Sequence, residues 1–276
     1  MKSNATHNPA LTSVFTAYLS QAGGAGFAGP VLAPAFNTAE QSASYYVFPS
    51  GNALNIPALR ARAPGTKFER SMPLVSDDTF NCRNYGHETP VPDEDRRKYA
   101  SAFSADKAAV ERNARVIAAN HERRVKALFA GAGVPSGSPT IKWGILTGDP
   151  EDIADPVADV KAGAALIRTA TGVAPNTLVV SWEVFQFLQL NPKIRAQFFS
   201  NTDGVVTREM LAAIFEVKNL VVADLTLNTA PEGRAAANAS VWGDDVVLAY
   251  TAAPGASLEE FSAARTFVWG GAGGGN

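Results

Sequence analysis

From Ser104 to Ala130 the sequence runs without a glycine or a proline. That stretch reads as one helix about 40 Å long, roughly a domain diameter, and the rest of the chain has to be arranged beside it. Ser104 is placed to cap its first turn, Asp106 suits the positive end of the helix dipole, and Lys126 sits near the negative end. Val110, Ala114, Ile117, His121, Val125 and Leu128 recur at intervals of three and four, which predicts one narrow buried stripe. Arg112, Arg115, Glu122 and Arg123 lie largely off that stripe. A helix so polar over the rest of its surface needs water or other subunits around it.

The 276 residues, 46% of them hydrophobic, suffice for a large core in one or two domains. A formal charge of −2 argues against partners found through an overall positive field, while leaving room for local basic patches. No apolar run approaches the length of a membrane span. Cys82 stands alone and cannot form an intramolecular disulfide, which fits a reducing compartment. Lys2 followed by Leu11 to Leu19 has the outline of a signal peptide, but Thr12, Ser13 and Thr16 break its apolar run, so an intracellular protein is expected.

In chain order, Leu11, Val14, Phe15, Tyr18 and Leu19 define an amphipathic helix over 9–21 whose apolar face needs a partner, either its own domain or another subunit. Residues 22–34, rich in Gly, Ala and Pro, read as an extended strap, making helix and strap together an arm. From Ser42 to Pro92 short strand-like pieces, Tyr45–Phe48 and Ala53–Ile56 among them, alternate with Pro, Gly and Asn. Charge is sorted here. Arg60, Arg62, Lys67 and Arg70 face one acid, Glu69, on the first limb, whereas Asp77, Asp78, Glu88, Asp93, Glu94 and Asp95 follow on the second against Arg83. A hairpin would set a basic limb beside an acidic one, and copies in neighbouring subunits would attract each other. The plainer alternative is a solvated hairpin whose ion pairs contribute about 0–1 kcal/mol each.

After the long helix come a Gly/Pro/Ser break, a strand expected at Ile141–Ile145 and an acidic turn through Asp155. Asp149, Glu151, Asp152 and Asp155 lack the spacing of a calcium loop, and Asp155 reads as a helix cap with Pro156 in the first turn. Val157, Val160, Ala164 and Ile167 mark that helix and Gly172 ends it. Thr177–Val180 is a nearly continuous apolar strand; Ser181 caps a helix stopped by Asn191-Pro192; Thr207 starts another. Strands at 220–223 and 246–250 complete a small α/β unit with its sheet buried on at least one face, and 261–269 is strand-like again.

Motifs for chemistry are absent or misplaced. Gly24-Ala25-Gly26-Phe27-Ala28-Gly29 has the letters G-x-G-x-x-G but follows a helical pattern and precedes Pro30, the wrong setting for a dinucleotide. His121-Glu122 begins like a zinc-protease motif, yet Val125 stands where the second histidine belongs. His7, His87 and His121 are scattered, and no nucleophile elbow or P-loop is present. Asn4-Ala5-Thr6 and Asn238-Ala239-Ser240 match the glycosylation sequon without a secretory signal to give it meaning, and Lys67 reads as a solvated loop lysine. No catalytic residue, metal or cofactor is expected.

The acidic turn and helix around Asp155-Pro156 lead into Val173-Ala174-Pro175-Asn176-Thr177-Leu178-Val179-Val180, then Trp182, Phe185, Leu188 and Asn191-Pro192. Glu209 to Val217, Asn219-Leu220-Val221-Val222, Val241-Trp242-Gly243 and Val246 to Tyr250 follow. With the arm, hairpin and long helix before it, this order resembles the major capsid protein of tailed double-stranded DNA bacteriophages. The resemblance implies an α+β fold with an N-terminal arm (1–41), an extended β-hairpin loop (42–91), a peripheral domain built on the long spine helix (92–152 with 241–276) and an α/β axial domain (153–240). It also implies a self-assembling icosahedral shell of hexamers and pentamers, formed in the host bacterial cytoplasm and enclosing the genome. Such a shell touches its DNA without reading sequence, takes scaffold, portal and decoration proteins as separate chains, and involves no membrane.

The expected interface residues are Leu11, Phe15, Tyr18 and Leu19 on the arm, with Arg60, Arg62, Lys67 and Arg70 meeting neighbours' Asp77, Asp78, Glu88 and Glu94. Similar proteins continue past a strand like 265–269, so that strand is expected to be shortened or supplied differently; no fused scaffold or covalent cross-link is expected. The rival expectations are a nanocompartment shell packaging protein cargo and a soluble α/β enzyme.

Overall fold

The computed structural model describes residues 26–47, 75–100, 103–149, 151–198, 204–231 and 233–270, together with 10–11, 13–14, 54–56, 58–59, 61, 67–68, 70 and 72. The fold is α+β. Its centre is a three-stranded sheet in which β4 (Thr177–Ser181) pairs in parallel with β5 (Asn219–Ala223) and antiparallel with β8 (Val246–Ala249). Every residue of β4 is buried, so the continuous apolar run reflects a strand covered on both faces.

Side-chain alternation sorts the three strands into two cores. Leu178, Val180, Leu220 and Val222 face one, where α4 (Pro156–Thr171) contributes Val157 and Val160 and α5 (Trp182–Leu190) contributes Val184 and Leu188. Ile194 of α6 (Pro192–Phe198) and Leu211 of α7 (Arg208–Ile214) complete it. Val179, Ala223 and Ala249 face the other core, against Val125 of the long helix α3 (Ala105–Phe129), Trp242, and Ala28, Leu32 and Ala33.

The helix boundaries follow the capping chemistry. Ser104 Oγ accepts from Lys107 N–H at the start of α3, Asp155 Oδ1 from Ala158 N–H at α4, Ser181 Oγ from Val184 N–H at α5 and Thr207 Oγ1 from Met210 N–H at α7. Gly172 closes α4 with φ 77°, the left-handed turn that glycine adopts most easily. Asn191 does more than stop α5: its Oδ1 accepts from Lys193 and Ile194 N–H and so starts α6, with Pro192 at its first position.

Several local expectations are corrected. Within the strap, Gly29–Leu32 forms a short helix, α1, and Ala28, Leu32 and Ala33 are core residues. Ile141–Ile145 forms turns, because no strand pairs with it; Trp143 packs on the first core and its indole N–H donates to Asp159 Oδ2 at 2.8 Å. Residues 54–56 carry no strand, and the tail strand is confined to β9 (Thr266–Trp269). On α3 the stripe holds at Ala114 and Val125, but Leu128 is exposed and Glu122, expected on the polar side, is fully buried. An additional helix, α2 (Asp93–Tyr99), precedes α3. Two short strands, β6 (Thr226–Asn228) and β7 (Asn238–Ser240), make a ribbon.

Candidate subunit interface

A hairpin of β2 (Ser42–Val47) and β3 (Ser76–Asn81) is present, antiparallel from Ser42↔Asn81 to Val47↔Ser76. That register explains why the two charged limbs do not pair within the ladder: the bases at 60–70 belong to the segment that connects the strands. Asp77 and Asp78 instead lie opposite Tyr46 and Tyr45, and Tyr45 donates its hydroxyl hydrogen to Asp78 Oδ2 at 3.3 Å. Burial, then the Asp78 charge and hydrogen bond, hold the Tyr45 hydroxyl above its ordinary pKa. Lys67 and Arg70 are exposed, and among the described residues no ion pair joins them to these acids. Arg60 and Arg62 lie outside the described residues.

The connecting segment carries a second feature that charge sorting concealed. Ile56 is 85% exposed, Leu59 88%, Phe68 73% and Met72 93%, all on one side of the ladder's end in sequence. Isolated exposed hydrophobes are ordinary, but these four fall within residues 56–72 of one segment. The signal was in the sequence: apolar residues interleaved with Arg60, Arg62, Lys67 and Arg70, with Pro57, Pro64 and Pro73 discouraging a compact fold.

The hairpin is fixed at its root. β1 (Ala35–Thr38) pairs in parallel with β9, and Phe267 of β9 stacks on Phe80 of β3 with ring centroids 4.3 Å apart. Phe36 meets the same ring edge-on at 5.8 Å and Tyr45 at 5.3 Å, so one aromatic cluster ties the hairpin to the paired strands.

Of the arm residues, Phe15, Tyr18 and Leu19 lie outside the described residues, while Leu11 lines a shallow hollow with Val91, Ala109 and Val110 of its own chain. Glu94 lies in the first turn of α2, where acids favour the helix dipole, and Glu88 is exposed in the segment before it. Arg96 bridges Asp93 at 2.8 Å and Asp106 at 2.9 Å, which accounts locally for part of the acidic sorting.

The N-terminal segment is held by a residue that sequence reasoning placed on the solvent side. Glu122 receives N–H groups from Ala28 at 2.9 Å and Gly29 at 2.6 Å, and the Trp242 indole N–H at 2.5 Å. Burial raises its carboxyl above the ordinary glutamate pKa, and these three hydrogen bonds only partly oppose the shift. The last glycine of the G-x-G-x-x-G stretch thus serves the chain's own carboxylate, and a Cβ at Gly29 would lie 2.6 Å from Glu122 Oε2. Neighbouring His121 reaches Thr266 Oγ1 through Nε2 at 3.2 Å, and that hydroxyl donates to Ala33 O. Among the described residues no three His, Cys, Asp or Glu side chains gather where a metal would sit, and no helix is long and apolar enough to cross a membrane.

No family model matches the chain. The major capsid protein of Burkholderia phage BcepMu is 29% identical over 201 residues, covering 70% of this chain. The chain spans 60% of the length of that relative. A phage-related protein from Bordetella bronchiseptica RB50 has a similar fold, with a TM-score of 0.64 and 23% identity over 92% of this chain and 81% of that one. The resemblance to tailed-phage major capsid proteins is therefore carried by a curated relative of that name as well as by the order of elements.

Proposed function

We propose that this chain is a structural shell subunit, a bacteriophage major capsid protein whose copies self-assemble as hexamers and pentamers around a double-stranded DNA genome. The observation that carries the reading is the connecting segment of the hairpin, where Ile56, Leu59, Phe68 and Met72 stand in solvent at the end of a ladder anchored by Phe80 and Phe267. An exposed apolar segment on a fixed root suits a neighbour's surface better than water. A relative named a major capsid protein supports reading that neighbour as another copy of the chain.

In this reading the mechanism is interface geometry. The arm is 1–41, the extended loop 42–91, the peripheral domain 92–152 with 241–276, and the axial domain 153–240. The loop lies over one neighbour by its apolar residues, while Arg60, Arg62, Lys67 and Arg70 meet acids such as Asp77, Asp78, Glu88 and Glu94 around the rim. Leu11, Phe15, Tyr18 and Leu19 anchor the arm on another neighbour. Each contact is heterologous and modest, and repetition closes the shell. Assembly takes place in the host cytoplasm, and the product is the virion capsid.

Sedimentation of the wild type against an Ile56→Asp, Leu59→Asp double variant tests this. The wild type is expected to sediment as large particles and the variant as a folded monomer; identical large particles from both would remove the loop from the interface.

A further inference from the structure

One side of α3, continued to its cap at Ala130, is built from alanines and cations only. Ala105, Ala108, Arg112, Arg115, Ala119, Arg123, Lys126 and Ala130 follow one another at intervals of three and four, which places them within an arc of about 80°. The cations stand among alanines, with no acid and no large apolar side chain on that arc. Arg112, Arg115 and Arg123 are exposed, and among the described residues none of them has an ion pair. Lys126, on the same arc, pairs with Asp245 at 3.1 Å, and cations off the arc are occupied too: Lys107 with Glu111, and Arg124 over the Tyr85 ring at 4.0 Å.

Beside the C-terminal half of this stripe, an open cleft of about 500 Å³ separates α3 from the β6–β7 ribbon. Arg123 and Lys126 line one wall, Asn228, Thr229 and Ser240 the other, and no acid lines it. Ser240 Oγ is buried there without a hydrogen-bond partner. Arg123 and the Asn228 amide are the donors this cleft offers to phosphate oxygens, since Lys126 is held by Asp245 and the Thr229 hydroxyl donates to Ala237 O.

We infer that the arginine side of α3, with the cleft between α3 and the β6–β7 ribbon, is the surface by which this chain holds the phosphate backbone of duplex DNA. The inference rests on the proposed shell function, which supplies the DNA, and it names the face involved. From Arg112 to Lys126 the stripe runs about 21 Å, the length of roughly six phosphate steps along one strand. Ala119, between Arg115 and Arg123, is buried, so the cations stand at the edge of the packed face; a protein segment would require the exposed aromatic and aliphatic bulk that this arc lacks. Contact is with phosphates, so it is independent of sequence.

The test is fluorescence anisotropy of two unrelated fluorescein-labelled 20-base-pair duplexes against the full chain over a range of salt concentrations. The wild type should bind both equally. Arg112→Ala, Arg115→Ala, Arg123→Ala together should bind at least about tenfold more weakly near 0.1 M salt and flatten the salt slope by about 2.7, roughly 0.9 per lost phosphate contact. The corresponding Lys triple variant should retain the slope, and Lys161→Ala, on α4, should not change it. An unchanged slope in a triple variant with the wild-type melting temperature overturns the inference, as does a wild type that binds an aspartate-rich peptide in place of duplex. Particle size, followed in parallel by light scattering, separates the two ideas: wild-type shells with unaltered DNA binding by the triple variant defeat this inference alone, and absence of shells defeats the proposed function.

Discussion

Trp242 donates its indole N–H to Glu122 Oε1 at 2.5 Å, across 120 residues of sequence. The same carboxylate takes the backbone N–H groups of Ala28 and Gly29, so one fully buried acid joins the long helix, the segment after β7 and the root of the N-terminal segment. A carboxylate out of water is tolerated only because every donor is aimed at it.

Removing that acceptor strands three buried donors. Glu122→Ala is expected to destabilise the chain by about 3–5 kcal/mol, and Glu122→Gln by less, since one oxygen still accepts. Urea denaturation followed by tryptophan fluorescence measures both. Equal stability of Glu122→Ala and wild type would show that the latch contributes nothing.

The same residue sets a pH dependence of unusual sign. Its pKa is raised by burial, so between the ordinary and the raised value the folded chain holds a proton that the unfolded chain has released. Its contribution is therefore full below the ordinary glutamate range and falls as pH rises through the raised value. His121 works oppositely: burial and then Arg124 lower its pKa, so stability is lost as pH falls from the ordinary histidine range. Comparing wild type with Glu122→Gln isolates the acid, and the wild type should gain on the variant as pH falls through the raised value toward the ordinary glutamate range. A constant difference would contradict the assignment.

Gly29 is required for space. A Cβ there would meet Glu122 Oε2 at 2.6 Å and His121 Nδ1 at 3.2 Å. Gly29→Ala should cost about 1–3 kcal/mol. Gly86→Ala, with nothing within 4 Å of its Cβ, should stay within about 0.5 kcal/mol by the same melt.

How much of this could be read beforehand depended on the range of the interaction responsible. Asp155, Ser181 and Thr207 act within three residues, and their helices begin where the letters say. Leu178 to Val180 announce burial on both faces because both side-chain sets are apolar. Glu122 was illegible, since a glutamate on a helix is ordinarily solvated and its indole partner is remote in sequence. The parallel pairing of Ala35–Thr38 with Thr266–Trp269 was hidden for the same reason, and Ile141–Ile145 has strand letters without a strand to pair with. In the candidate interface, charge sorting was visible, but the ladder register that leaves the bases beyond it was not.

Charge at the loop has its own test. Arg60→Glu with Arg62→Glu, or Lys67→Glu with Arg70→Glu, should leave the melting temperature unchanged and impair assembly by like-charge repulsion, more at low salt than at high. Normal particles from both pairs would confine the interface to its apolar residues.

At the hairpin root, Phe267→Ala removes the ring stacked on Phe80 and should cost about 1–3 kcal/mol. Amide exchange should accelerate in Ser42–Val47 and Ser76–Asn81 while β4 stays protected. Uniform acceleration would mean that the hairpin and the sheet unfold together.

The most direct measurement is the size of the purified chain, by light scattering and negative-stain electron microscopy over a range of concentrations. Shells, sheets, tubes or capsomer-sized rings are predicted. A particle that remains a monomer or dimer at every concentration and salt would contradict a self-assembling shell subunit.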